Sequence, residues 1–509
     1  MNYTSIKKWI LVIFLILITI SIVSCIGIKS QINQHLGKNT ELVDTSIFKI
    51  SSNPIAIKNI SVLSPDSSKM LDSLTVLIKN GKILNIAKGI NITNQYKIIN
   101  GTGKYLIPGF IDSHVHLKNS KNDLLLYLAN GVTYISEMTG SKRHLEWRKE
   151  AQNGAVSPKI YVATRKVGSE KGFIRKIKEL YFDQPLNYTT EKKARKAVRK
   201  FKKQGFDAIK LNGTLSKEIH HAITDEAKKQ NILTTGHLSY SIGLNHFYSS
   251  GQSQLSHIEE ITKNTMEDYT GVVYNTPKIY LKYLNQNSDS IAINLKKNNI
   301  VVSSTVWVSE SFPKQKFELN NFIKTIELKY TNPGLIEGSR LAKGWLPGNN
   351  AYEDIEVKKN PKISEKSKIF WKTYAKAIKI MAKALIRHNV ILTAGTDANV
   401  TGVVPGFSLH DEFESLKKCG MSNSKILHSA TVVPAEWMKS NTGKIKIGYD
   451  ADLVLLNKNP LEDIKNTKSI NTVIANGKLL NRRSLDKMLQ LVKEANHRSR
   501  KINIDKYIE

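Results

Sequence analysis

The chain has 509 residues, too many for one ordinary core, so one large domain and a smaller one are expected at about 100–200 residues each. An apolar share of 40% is that of a globular protein, and 76 basic against 43 acidic residues leave a net charge of +33 that favours anionic surfaces. The lysines are scattered and no RRM, zinc-finger or helix-turn-helix pattern is present, so no nucleic-acid partner is expected; two cysteines, Cys25 and Cys419, exclude a disulfide framework in the body.

At the N-terminus, Lys7 and Lys8 precede an apolar run over residues 9–20, followed by Ser21, Ile22, Val23, Ser24 and Cys25. This is the n-region and h-region of a secretory signal, and Ile-Val-Ser-Cys resembles a bacterial lipoprotein box in which Cys25 is lipidated. The alternative is an uncleaved anchor, because residues 9–28 carry no charge and about 20 apolar residues span a bilayer. Both place residues beyond 25 outside the cytoplasm and tethered to a membrane. Residues 26–50 are polar and read as the tether.

Next, LTVLIKNGKILNIAKG (residues 74–89) alternates as strands do around the hairpin signal Asn80-Gly81. A similar pattern returns late, in GKIKIGYDADLVLLNKNP and INTVIANGKLL, with a turn at Asn476-Gly477. The two parts, 51–107 and 440–482, are expected to make one small two-part β-sandwich. Between them, short apolar runs alternate with helical patterns. The predicted strands are 110–114, 132–137, 159–163, 208–211, 233–236, 254–257, 300–304 and 390–394, with helices at 191–204, 217–230 and 366–388. Alternating β and α units imply a parallel α/β sheet, and eight of them suggest a (β/α)8 TIM barrel over residues 108–439. The long gap between the last two strands predicts an inserted lid around 305–365, carrying Trp307, Phe312, Lys314, Trp345, Leu346 and Pro347. Residues 483–509 should end the chain in an amphipathic outer helix.

Barrel chemistry sits at the C-terminal ends of the strands. His114 and His116 end the first and, two residues apart, point the same way. Lys210 lies in the fourth, His237 and His257 end the fifth and sixth, and Asp397 ends the eighth. Each alone has an ordinary reading: a hydrogen-bonded histidine, half of a buried ion pair, a cap. Six such residues at strand ends in one direction point to a site. Imidazole and carboxylate suit zinc and related divalent cations. A buried lysine that loses its proton and takes up CO2 becomes a carbamate able to bridge two cations, which together can clamp a hydrolytic transition state. Asp112 shares the side of the two histidines one layer deeper and is expected to support the site without being a ligand.

PGFIDSHVHL, GFDAIKL, TTGHLS, LSHIEE and TAGTDAN resemble the ordered metal motifs of the amidohydrolase superfamily. The resemblance spans roughly residues 55–480 and is closest to the imidazolonepropionase-like and Xaa-Pro dipeptidase-like branch. It implies that His114, His116 and Asp397 hold the more buried cation, that His237 and His257 hold the more exposed one, and that carboxylated Lys210 bridges them. It further implies two divalent metal ions, most naturally zinc, a bridging hydroxide as nucleophile, and Asp397 as the catalytic proton carrier. Mononuclear branches, including many deaminases, lack such a lysine, so a dinuclear hydrolase of amide or cyclic amide bonds is expected. A lactonase or ester hydrolase on the same site, and a binding protein on a retired barrel, are the alternatives. The sequence departs from the peptidase-like members at Ser136 and Glu137, where an arginine and an aspartate are usual. Tyr240 and His410 are candidates for a substrate pocket. His220, His221, His246 and His388 read as surface or structural. The expected partners are a small-molecule or short-peptide substrate and a membrane, with homo-oligomer formation left open.

Overall fold

The computed structural model describes residues 3–48, 53–172, 175, 179, 185–353 and 359–508. Residues 49–50 of the expected tether and 354–358 of the expected lid lie outside these.

Strand β1 (Ile55–Leu63) pairs antiparallel with β2 (Met70–Lys79), which turns through Asn80-Gly81 into β3 (Lys82–Ala87). Asn80 and Gly81 both have positive φ, 52° and 71°, which these two residue types accept in a tight hairpin. β1 is long enough to take two parallel partners in succession, β4 (Lys97–Asn100) along its first half and β5 (Tyr105–Pro108) along its second.

Eight parallel strands carry the body: β6 (Phe110–Val115), β7 (Val132–Glu137) and β8 (Lys159–Val162), then, after the short β9 (Val167–Gly168) and β10 (Leu186–Asn187), β11 (Ala208–Leu211), β12 (Leu233–Gly236), β13 (Gln254–Leu255), β14 (Val301–Ser303) and β15 (Ile391–Thr393). With β9 and β10 they lie in two sheets, β6-β7-β8 and β10-β9-β11-β12-β13-β14-β15. Single bridges join the sheet edges, Ala163 to Ala208 and Val115 to Ala398, where His116 N donates to Ala398 O at 3.1 Å. Every residue of β6 and β11 is buried, as expected for parallel strands covered on both faces.

The intervening helices follow their local sequence. In Glu191–Gln204, the Thr190 hydroxyl caps Lys193 N, Glu191 sits in the first turn, and Lys202 and Lys203 sit in the last. Gly205 ends the helix in the left-handed conformation, φ 86°. Ala194, Val198 and Phe201 form its buried stripe. The β14–β15 connection adds helices Val306–Phe317, Leu319–Ile323 and Pro333–Glu337 ahead of the long Pro361–Arg387. Trp345 and Leu346 pack there in a separate core with Phe322 and Leu335.

The chain then returns to the first sheet through β16 (Leu453–Leu456), β17 (Ile470–Ala475) and β18 (Lys478–Asn481). The order β18-β17-β16-β5-β1-β2-β3, with β4 on β1, is one connected sheet from both ends of the chain. A small two-part β-sandwich was expected; the described strands of both parts are hydrogen-bonded in one sheet, in which β1 is shared by β2, β4 and β5. Helix Arg482–Ser499 comes next, buries Leu485, Met488 and Val492, and packs on Asp123–Ala129.

At the other end, helix Tyr3–His35 includes a stretch, Trp9–His35, that is long and apolar enough to cross a membrane and whose most apolar window has no buried residue. Residues 36–48 are not a loose tether. Leu36 O accepts from Asn119 N at 3.0 Å, Val43 N donates to Asn122 Oδ1 at 3.0 Å, and Arg498 pairs with Glu41 at 2.8 Å. Their backbone polar groups find partners on the body, which polarity alone did not reveal.

Lys159 on β8 clamps the sheet to the parallel strands. Its Nζ lies 2.6 Å from both Asp450 Oδ2 and Asp452 Oδ2, and Asp452 is 1% exposed. Replacing Lys159 by Met leaves that buried carboxylate without its cation, at a cost of about 3 kcal/mol. Urea unfolding of Lys159→Met should show this loss, and the double variant with Asp452→Asn should recover part of it.

Candidate metal centre

The structure brings His114, His116, Lys210, His237, His257 and Asp397 together at one end of the parallel strands. His116 Nε2 is 2.8 Å from Asp397 Oδ1 and His114 Nε2 is 3.4 Å from it. These three donor atoms lie within 4.8 Å of one another. Lys210 Nζ is 3.3 Å from His114 Nε2 and 2.8 Å from Ser256 Oγ. The His257 ring centroid is 4.4 Å from that of His114 and 5.6 Å from that of His237.

Close backbone approach makes this convergence possible. A Cβ on Gly236, which precedes His237, would meet Leu211 O at 2.2 Å. One on Gly395 would meet Ser303 Oγ at 2.6 Å and His114 Cβ at 2.9 Å. His257, Thr305 and Asp397 all have positive φ, 70°, 47° and 61°. For non-glycine residues this costs of order 1–3 kcal/mol each, and it is retained where the surroundings over-determine a functional geometry.

Those surroundings are four buried carboxylates, each bonded to the backbone beside a site residue. Asp112 accepts from Thr396 N at 3.1 Å and Thr396 Oγ1 at 2.7 Å, next to Asp397. Glu137 accepts from Leu117 N, next to His116, and from Thr139 N at 2.7 Å. Glu260 accepts from Leu238 N at 3.1 Å, next to His237. Glu412 accepts from Ser304 Oγ at 2.5 Å, Val306 N at 3.0 Å and Trp307 N at 2.7 Å, and so grips both sides of Thr305. Thr305 Oγ1 in turn lies 2.9 Å from His257 Nδ1.

A second relay fixes His116. Thr139 Oγ1 donates to Glu137 Oε1 at 3.0 Å and lies 3.0 Å from His116 Nδ1. The hydroxyl proton is spent on the carboxylate, so the Thr139 oxygen accepts from Nδ1–H and Nε2 keeps its lone pair for the centre.

Electrostatics prepare the donors. Burial, then the Lys210 charge, hold His114 well below the usual imidazole range. Burial, then Lys166 and Lys210, do the same to His237, and burial, with Lys210, brings His257 to about 4. All three are neutral near pH 7, the form that binds a cation. Burial, then Lys166, lowers Lys210 to about 7. Burial works against ionisation of Asp397, but His116 and His257 more than offset it and its carboxyl sits below the ordinary range. Asp397 Oδ1 is buried without a hydrogen bond, aimed between two imidazole nitrogens. These donors fit a divalent cation of zinc type.

Two sequence candidates part here. Tyr240, 59% exposed, stands at the rim of a cavity of about 1320 Å3 that opens from His237, His257 and Asp397. The insertion supplies Phe312 and Tyr352 to its wall, facing Trp371. His410 does not reach it. Helix Phe407–Lys418 turns it inward, between Asn130 O (3.2 Å) and Thr467 Oγ1 (2.9 Å), against Phe110. Sequence reasoning missed Thr139, Thr305, Glu260, Glu412 and Lys166; Glu260 and Ser256 flank His257 in SHIEE, the one local signal available.

The amidohydrolase family pattern matches residues 105–480. The chain belongs to the amidohydrolase family. It is thus a hydrolase acting on carbon–nitrogen bonds. A 5'-deoxyadenosine deaminase of Methanosphaera stadtmanae is 26% identical over 84% of this chain and 93% of its own length. Among solved structures, a bottromycin amidohydrolase aligns with a TM-score of 0.65 at 17% identity, over 87% of this chain and 90% of its own. A Xaa-Pro dipeptidase with bound methionine in its active site aligns at 0.60 and 17% identity, over 84% of this chain and 100% of its own.

Thr139→Val removes the relay to His116 while conserving volume. It should weaken cation affinity about 10- to 100-fold. Competition against a chromophoric chelator measures this, with unchanged far-UV circular dichroism as the fold control.

Proposed function

We propose that this amidohydrolase is a membrane-tethered, extracytoplasmic hydrolase of amide or cyclic amide bonds that works with two divalent cations, most naturally zinc, and a carboxylated Lys210. The N-terminal helix supports the tether, either lipidated at Cys25 or as a single transmembrane anchor. The bridges at Ala163–Ala208 and Val115–Ala398 support reading the eight parallel strands as one closed (β/α)8 barrel, with strands 51–107 and 440–482 as the small domain beside it.

Lys210 carries the proposal. It is fully buried, and its Nζ lies against His114 Nε2 and Ser256 Oγ. A structural lysine there would carry a desolvated charge that Asp397, Glu260 and Glu137 offset only in part. Held near neutrality, its amine could attack CO2 and lose a proton to become a carbamate, a group whose chemistry suits it to hold two cations. His114, His116 and Asp397 would hold one cation and His237 with His257 the other. Bound there, the cations would supply activated water and a polarised carbonyl.

The chain's own residues do the rest. Asp397, kept as an anion, accepts the proton of the attacking water and passes it to the leaving nitrogen as the carbon–nitrogen bond breaks. Phe312, Tyr352 and Trp371 exclude water from the bound substrate. The deaminase relative shares the family, but the buried lysine favours amide hydrolysis over deamination here.

Purified protein should hold close to two zinc ions per chain, and reloading of metal-free protein should require bicarbonate. Lys210→Ala should lose metal and lower turnover by about two orders of magnitude or more, with partial rescue by short carboxylic acids. A panel of dipeptides, hydantoins and lactones identifies the bond. Full activity of Lys210→Ala, indifferent to added acids, would falsify the bridging role.

A further inference from the structure

Two cavities meet at the metal centre. The smaller, about 490 Å3, shares His237, His257, Asp397 and Val400 with the larger. Its outer wall is built from distant segments: Ile32, His35 and Leu36 at the end of the N-terminal helix, and Leu341 and Ala342 of the insertion. Lys118 and Lys166 line it nearer the centre.

We propose that this smaller cavity is a membrane-facing opening, walled by the last turns of the N-terminal helix, through which an amphiphilic N-acyl amide reaches the metal centre from the bilayer. The proposal rests on the membrane tether and the amide chemistry of the proposed function.

The helix end is fastened and not free to swing. Gln34 Nε2 donates to Gly338 O at 3.0 Å, Arg340 N donates to Gln31 Oε1 at 3.0 Å, and Asn332 Nδ2 donates to Gly37 O at 3.1 Å. The helix is unbroken from Tyr3 to His35. At 1.5 Å per residue, Lys29, the first charge after the apolar run, lies about 10 Å along the axis from Leu36, and Cys25 about 17 Å. A transmembrane helix and a lipid on Cys25 therefore both bring the bilayer surface within a short acyl chain's reach of this opening. Lys29, Lys38, Arg340 and Lys343 are exposed around the helix end, and such cations draw a surface onto anionic headgroups at about 1 kcal/mol each.

The two chambers sort an amphiphile. The acyl chain runs from the bilayer past Ile32, Leu36 and Leu341, and the carbonyl reaches the metal centre. The amine fragment enters the larger cavity, whose Phe312, Phe370 and Trp371 suit an aromatic group. Water adds to the carbonyl carbon, the carbon–nitrogen bond breaks, and the proton goes to the nitrogen. The products are an amine and a fatty carboxylate, the latter formed beside Lys166, whose charge already lowers the pKa of Lys210 and His237.

The test uses full-length, zinc-loaded protein in phosphatidylglycerol–phosphatidylcholine vesicles, comparing N-myristoylphenylalanine with N-acetylphenylalanine. The wild type should favour the myristoyl amide at least about tenfold in kcat/KM, the scale of a few methylenes leaving water. Leu341→Trp, on an exposed residue, and Ile32→Glu should each collapse that ratio towards one. No preference in the wild type, or a preference kept in both variants, overturns the opening. Cleavage of neither amide overturns the amide reading and this substrate class with it. Lysine acylation read by mass spectrometry tests the orientation independently of turnover. On vesicles, Lys29, Lys38 and Lys343 should lose reactivity while Lys88 and Lys97 keep it. Equal reactivity of both groups means the opening does not face the bilayer.

Discussion

A fully buried amine set against buried imidazoles governs this molecule. Lys210 sits at the bottom of the site with three desolvated imidazoles around it, and every one of them is easier to bury neutral than charged. Such a cluster cannot persist as a set of cations. It persists because deprotonation is favoured, and a deprotonated set of nitrogens is a set of ligands. The desolvation that would destabilise an ordinary protein thus prepares a donor set for metal.

Asp397 faces these bases, and four other buried acids act one layer further out. Asp112, Glu137, Glu260 and Glu412 are all buried, and each accepts from a backbone N–H group beside a site residue. They offset the left-handed conformations of Asp397, His257 and Thr305, which local sequence alone would not adopt. The result is a shell in which the bases and Asp397 face the centre and the other four carboxylates hold the loops that carry them.

The inner layer was legible in the sequence because a parallel strand marks its own end. Apolar runs located the strands to within a residue or two, and the converging residues stand in the last positions of those runs or just past them. The outer layer was not legible. Thr139 and Glu137 act on His116 from the next strand, and Glu412 acts on His257 from a helix some 150 residues away in a fold the sequence only outlines. No period or spacing links them. His410 misled for a related reason: it comes after the last strand, but helix Phe407–Lys418 rotates it towards Asn130 and Thr467, and the helix register was not fixed by the pattern. The residues after the apolar helix misled by composition, since polar side chains can bind a protein surface as readily as water.

The sheet shared by the two chain ends has a consequence for the order of events at synthesis. β5 is laid down by residue 108, but its partner β16 begins only at Leu453. Through most of elongation the β5 edge has unpaired N–H and C=O groups, the condition that invites association with another chain. Closing it brings together segments more than 340 residues apart, which makes it a slow step. The lysine-rich surface then has a use before folding ends, because like-charged nascent chains repel one another while that edge waits.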